Sequence, residues 1–115
     1  MSQRRITLIL AITCALLGTG HTALTPLIYP QWTENSLWFV GTGLAMLIAA
    51  AINIVGPGTG GKLNLSLIVL VNLAMTAFFV AAWPVLRAPQ VIVGGVLFAA
   101  LAVCAVLAAR QRPAG

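Results

Sequence analysis

The sequence predicts an all-α integral membrane protein, an antiparallel bundle of four transmembrane helices with the N and C termini cytoplasmic. Three observations lead there. The 115-residue chain is 61% hydrophobic and 6% charged, whereas a soluble domain carries about 25% charged residues. So few charges cannot clothe a water-exposed surface. Four apolar runs, 6–24, 37–55, 63–86 and 91–109, are each long enough to cross about 30 Å of hydrocarbon at about 1.5 Å per residue. Finally, the basic residues fall on one side of a chain that crosses four times.

The four runs fill one transmembrane domain, 1–115. None alternates with the period of a barrel strand, and backbone groups in lipid must bond within their own segment, so each run is predicted as an α-helix. Arg4 and Arg5 precede the first helix. "SQRR", an apolar run and "GTG" also have the general form of a cleaved signal peptide; the run is long for one, which favours a retained helix. The break "TPLIYPQWTEN" holds Pro26 and Pro30, with Thr33, Asn35 and Ser36 as candidate N-caps for the second helix. "GPGTGG" is expected to end that helix in a short flexible turn. "WPVLRAPQ" puts Pro84 near the end of the third helix and Pro89 before the fourth. That link is tight, so the last two helices should form an antiparallel pair.

Orientation follows from the charges. Arg4, Arg5, Lys62, Arg110 and Arg112 share one side, and Arg87 stands alone on the other. Positive-inside bias makes the crowded side cytoplasmic and suits a bacterial plasma membrane. Tyr29, Trp32, Trp38 and Trp83 map to the outer interface. The net charge of +5 arises from six basic residues against the single acid Glu34. These charges sit singly or in pairs between apolar runs, so no nucleic-acid face is expected.

"GPGTGGKLN" nearly spells the phosphate-binding loop G-x-x-x-x-G-K-[ST], with Gly56, Gly61 and Lys62 in place. Leu63 stands where the metal-binding hydroxyl belongs, the chain has no Asp, and Glu34 lies on the other side. The stretch also joins two membrane helices rather than a strand and a helix. No nucleotide site and no cofactor are expected, and Lys62 is read as an anchor at the cytoplasmic headgroups.

Polar groups inside the bilayer are the best functional pointers, because each costs free energy unless paired. Asn72 lies near the bilayer centre, with Thr76 one turn on along the same face. It reads either as a ligand contact or as an interhelical hydrogen bond worth about 0.6 kcal/mol on average. Asn53 and Asn64 are placed near the cytoplasmic interface, with no special role. His21, the only histidine, falls inside the outer end of the first helix. Glu34, Arg87, Trp38 and Trp83 share that end. With His21 and Asn72 they form a candidate ligand or proton site. The alternative is that His21 caps a helix while Glu34 and Arg87 are solvated. One His and one Glu supply too few ligands for a metal. Cys14 and Cys104 fall at similar depth and could meet, but lack C-x-x-C spacing.

Small residues recur every four positions at Thr7, Ala11, Ala15, Thr19 and Ala23, and again at Gly41, Ala45, Ala49 and Asn53. Such stripes let helices approach closely, within one bundle or in a homodimer or partner complex.

"GTGHTALTP" followed by "YPQW" resembles the small DoxX-like membrane proteins, with Gly18 and His21 matching their Gly-x-x-His element and Pro26 approximating the proline beyond. Thr22 stands where that pattern has an aromatic residue. The resemblance covers the first half of the chain and implies a four-helix inner-membrane bundle; it transfers no activity. Small multidrug transporters share the size, but their coupling carboxylate in the first helix has no counterpart here. The expected function is a small multi-pass membrane protein, non-enzymatic, that contacts membrane lipids and binds a lipid or apolar ligand or serves as a subunit of a membrane complex. The alternative is an enzyme or small transporter with an outward site around His21, Glu34 and Arg87.

Overall fold

In the computed structural model residues 1–112 are described; 113–115, the last of the single domain read from the sequence, lie outside the described residues. Four helices follow one another: α1 Gln3–Ile28, α2 Glu34–Thr59, α3 Lys62–Leu86 and α4 Pro89–Gln111. All four are long and apolar enough to span a membrane. A 26-residue helix is about 39 Å long at about 1.5 Å per residue, so its ends pass beyond a hydrocarbon core of about 30 Å. The chain is a multi-pass membrane protein.

Each helix begins on local chemistry. Ser2 caps α1, its hydroxyl accepting from the Arg5 N–H. Thr33 caps α2 in a reciprocal box with Ser36: the Thr33 N–H donates to Ser36 Oγ at 2.6 Å, and the Ser36 N–H donates back to Thr33 Oγ1 at 3.4 Å. Two orphan donors of the first turn are thereby satisfied. Of the three candidate caps, Thr33 is the N-cap and Ser36 its partner, while Asn35 lies in the first turn. Pro89 opens α4, where its missing N–H costs nothing. Only Arg87 and Ala88 link α3 to α4, and Arg87 turns the chain in the left-handed region at φ 43°.

The helices overrun the hydropathy boundaries, most clearly at "GPGTGG". The expected turn is shorter than the sequence suggests: α2 continues through Gly56, Pro57 and Gly58 to Thr59, and only Gly60 and Gly61 separate it from α3. Pro57 fixes a helical φ but has no N–H to give the Asn53 carbonyl, and the carbonyls after it lack helical donors because the helix is ending. Side chains take up the carbonyls there. Arg4 Nη2 donates to Ile54 O at 2.7 Å, Arg112 Nη2 to Pro57 O at 2.9 Å, and Thr59 Oγ1 to Gly56 O at 3.2 Å. Asn64 Nδ2 also reaches Gly56 O, and Arg112 Nη1 reaches Gly60 O. Two guanidinium groups thus sit on the negative end of the α2 dipole. This loop offers carbonyls to cations, the opposite polarity to a phosphate cradle.

Successive helices run antiparallel. α1 packs mainly on α2 and α3 mainly on α4, and α2–α3 and α1–α4 contacts close the bundle. Gln3 at the start of α1 bonds Cys104 O in α4 at 2.7 Å. With the Arg4 and Arg112 bonds, this places both described chain ends at one end of the bundle. The opposite end carries residues 29–33 and the Arg87–Ala88 link.

The packing faces follow the 3.6-residue period rather than a fixed spacing of four. On α1 the buried residues are Thr7, Ala11, Cys14, Gly18 and Thr25; on α2 they include Gly43, Met46, Ala49, Ala50 and Asn53. Thr19, Ala23 and Gly41 of the expected stripes are exposed, because four residues advance about 40° beyond a full turn. The closest approach is at Gly18 and Gly43. A Cβ on Gly43 would lie 2.8 Å from Gly18 O and 2.5 Å from Thr22 Oγ1. Outward faces carry Ile9, Leu16, Ile48, Leu70, Val80 and Val96 in the open, as lipid-facing surfaces should.

Candidate functional site

The polar residues separate into two places. Asn72 is inside the bundle, 0% exposed, facing Asn53 at 1%. The two amides bond reciprocally: Asn53 Nδ2 donates to Asn72 Oδ1 and Asn72 Nδ2 to Asn53 Oδ1, each at 2.8 Å. The second Asn53 amide hydrogen goes to Ala49 O at 2.8 Å. Thr76 bonds back to Asn72 O in its own helix. Asn72 therefore makes an interhelical bond, and Asn53, read from the sequence as an interface residue without a role, is its partner. Asn64 likewise has a role, closing the α2–α3 turn through Gly56 O. Neither Asn72 nor Asn53 lines either of the two concavities near the loop end.

The second place is the loop end. A pocket of about 440 Å³ opens there between the two hairpins, walled by Phe39, Phe78 and Phe79 with His21, Tyr29 and Trp38. Asn35, Thr42 and Gln90 add polar atoms, and Ala82, Leu86, Ala88 and Val91 complete the wall. This is an aromatic, mostly apolar concavity of ligand size with a few polar groups, the usual make-up of a small-molecule site.

His21 is held in a defined state. Its ring stacks on Phe39 with centroids 4.5 Å apart, and the Tyr29 ring lies tilted against Phe39 at 5.4 Å. Its Nδ1 lies 3.2 Å from Leu17 O. A carbonyl only accepts, so Nδ1 carries the hydrogen. Nε2 of the neutral ring is then a bare acceptor. Among the described residues no buried side-chain nitrogen or oxygen lacks a partner. Nε2, which bonds to no protein atom, is consequently open to whatever fills the pocket. On either side of it Thr22 and Thr25 turn their hydroxyls onto the carbonyls of Gly18 and His21, so neither hydroxyl is left unpaired.

The other candidates sit near the pocket or away from it. Trp38 lines it, and its Nε1 donates to Glu34 Oε1 at 3.4 Å. Glu34 is exposed on the first turn of α2 and is not in the pocket wall. Arg87 is exposed at the α3 C-cap and is not in the wall either. Trp83 borders a second concavity, an open apolar groove of about 490 Å³ on α3 and α4, with Phe79, Val80, Val91, Ile92, Gly95 and Val96. The structure thus brings His21 and Trp38 together, leaves Glu34 one bond away through Trp38, and separates Asn72, Arg87 and Trp83 from them.

Sequence reasoning missed Phe39, Phe78, Thr42 and Gln90. Only Gln90 left a trace, as an uncharged amide beside Pro89 at the same end as Trp83. Phe39 and Phe78, like Phe79 beside them, lie in apolar runs and are indistinguishable there from lipid-facing residues.

Cys14 is buried and Cys104 half-buried, and both are free thiols. Among the described residues no three His, Cys, Asp or Glu side chains gather as a metal set. No family model, curated protein or solved structure matches the chain.

Proposed function

We propose that this chain is a binding protein of the bacterial plasma membrane. It holds a small lipophilic molecule in the aromatic pocket at the loop end, with that end outward and both termini cytoplasmic. The observation that carries the reading is His21: a stacked, tautomer-fixed ring whose Nε2 is left as an open acceptor in a pocket walled by Phe39, Phe78 and Trp38. Binding is favoured over acid–base chemistry because neither Glu34 nor Arg87 reaches the wall, so no charged group is at hand to orient or recharge the imidazole. The placement of Arg4, Arg5, Lys62, Arg110 and Arg112 at the end with the termini supports the orientation. A DoxX-like affiliation fits the role of Gly18, which lets α2 approach one turn before His21. The small residues left on outer faces, such as Thr19, Ala23 and Gly41, offer a surface for a second copy or another membrane protein.

Native mass spectrometry of protein released in a mild detergent tests the reading. The expected result is a bound species of one defined mass, lost from His21→Ala. Identical bare spectra for both proteins would count against the pocket as a binding site.

A further inference from the structure

The pocket and the lipid-facing groove share a wall. Phe79 and Val91 line both. Both side chains are buried, at 4% exposure, so they stand between the interior of the loop end and the bilayer. Phe79 fits there because α4 presents bare backbone to it at Gly94 and Gly95. A Cβ on Gly94 would lie 2.5 Å from Phe79 Cζ, and one on Gly95 would lie 3.4 Å from Phe79 Cβ. The ring also stacks on Phe98 with centroids 5.9 Å apart. Beyond it the groove is almost entirely apolar: Val80, Ile92, Val96 and the Trp83 ring around the bare backbone of Gly95. The polar atoms, His21 Nε2 with Tyr29, Asn35 and Gln90, are all on the pocket side of the wall.

We infer that pocket and groove form one site for a single-tailed amphiphile, whose head group donates a hydrogen bond to His21 Nε2 and whose hydrocarbon tail passes Phe79 and Val91 into the α3–α4 groove. The inference rests on the binding reading above and adds the ligand's class. The head must be a donor because Nδ1 is already committed to Leu17 O, leaving an acceptor to be matched. The tail must leave sideways because the groove continues from the pocket at those two residues and faces lipid. Entry from the bilayer follows from the same geometry, with the Phe79 ring as the part that moves.

Three probes separate the parts: 4-ethylphenol, 4-nonylphenol and 4-nonylanisole, titrated calorimetrically into the protein in lipid nanodiscs. Each Kd is expressed as a mole fraction in the membrane, so that partitioning cancels. Two variants fill the groove from different positions, Gly95→Leu and Val96→Trp; Val96 is an exposed position that tolerates a larger side chain. The expected pattern is nonylphenol at least tenfold tighter than ethylphenol, nonylanisole at least tenfold weaker than nonylphenol, and loss of the chain-length gain alone in both variants. Equal affinity for the two phenols, or a gain that survives both groove variants, overturns the tail assignment while leaving the pocket a binding site. Equal binding of the phenol and its methyl ether overturns the donor head. Failure of both phenols to bind removes the binding reading itself.

Discussion

The Asn53–Asn72 pair makes an energetic prediction that can be worked from the geometry. The two amides exchange two hydrogen bonds at 2.8 Å inside the bundle, and only Asn53 has a further partner, Ala49 O. Truncating Asn72 to Ala removes both interhelical bonds but leaves Asn53 anchored to its own helix. Such bonds in membranes are worth about 0.6 kcal/mol on average and up to about 1.7, so Asn72→Ala should cost about 1–3 kcal/mol. Asn53→Ala removes the same bonds and strands the whole Asn72 side-chain amide in a site with no exposure. An orphaned buried polar group adds about 1–3 kcal/mol, giving about 2–6 kcal/mol in all. The double variant has no orphan, so its cost should fall short of the sum by at least about 1 kcal/mol. Steric trapping in bicelles measures all three free energies of unfolding. Additivity within about 0.3 kcal/mol, or equal costs for the two single variants, would refute the reasoning that the pair acts as one buried unit.

Other expectations follow from close approaches and charge placement. Gly43→Ala puts a methyl 2.5 Å from Thr22 Oγ1 and 2.8 Å from Gly18 O, so it should destabilise by about 1–3 kcal/mol as α1 and α2 are forced apart; Gly41→Ala, with nothing within 4 Å, should be neutral or slightly stabilising in the same unfolding measurement. In a cysteine-free background, a membrane-impermeant maleimide added to intact cells should label Arg87→Cys and leave Lys62→Cys unlabelled until the membrane is opened; the reverse pattern would invert the proposed orientation.

The four helices were legible because nothing but helix satisfies a backbone in lipid, and the tight antiparallel link of the last two followed from Pro84 and Pro89. Their ends were less so. Hydropathy stops at Val55, and Gly56 and Pro57 read as a turn, yet the helix runs on to Thr59 because arginine and asparagine side chains from α1, α3 and the end of α4 take its last carbonyls. That extension places Asn53 two turns inside α2, and the misreading of Asn53 follows directly from the misplaced end. The small-residue stripes failed for a similar reason of phase: a spacing of four drifts off the buried face, so Gly18 and Gly43, not Ala15 and Gly41, bring the backbones together. At the candidate site, the scarcity of His21 and the aromatic character of Trp38 marked them out. Phe39, Phe78 and Phe79 carried no such mark, because an apolar residue facing a pocket and one facing lipid obey the same composition rule. Glu34 and Arg87 share the loop end with His21, but topology alone could not show that Glu34 turns to Trp38 while Arg87 closes α3.

The most direct test of the central claim is photo-crosslinking in the native membrane. A benzoyl-phenylalanine replaces Phe39, against the His21 ring, in one protein and Leu16, which is 68% exposed on the outer face of α1, in another. Intact-mass analysis after irradiation should show one adduct of defined mass at position 39 and a spread of bulk phospholipid masses at position 16. The same phospholipid spread at both positions, or no adduct at position 39, would contradict a selective ligand pocket at the loop end.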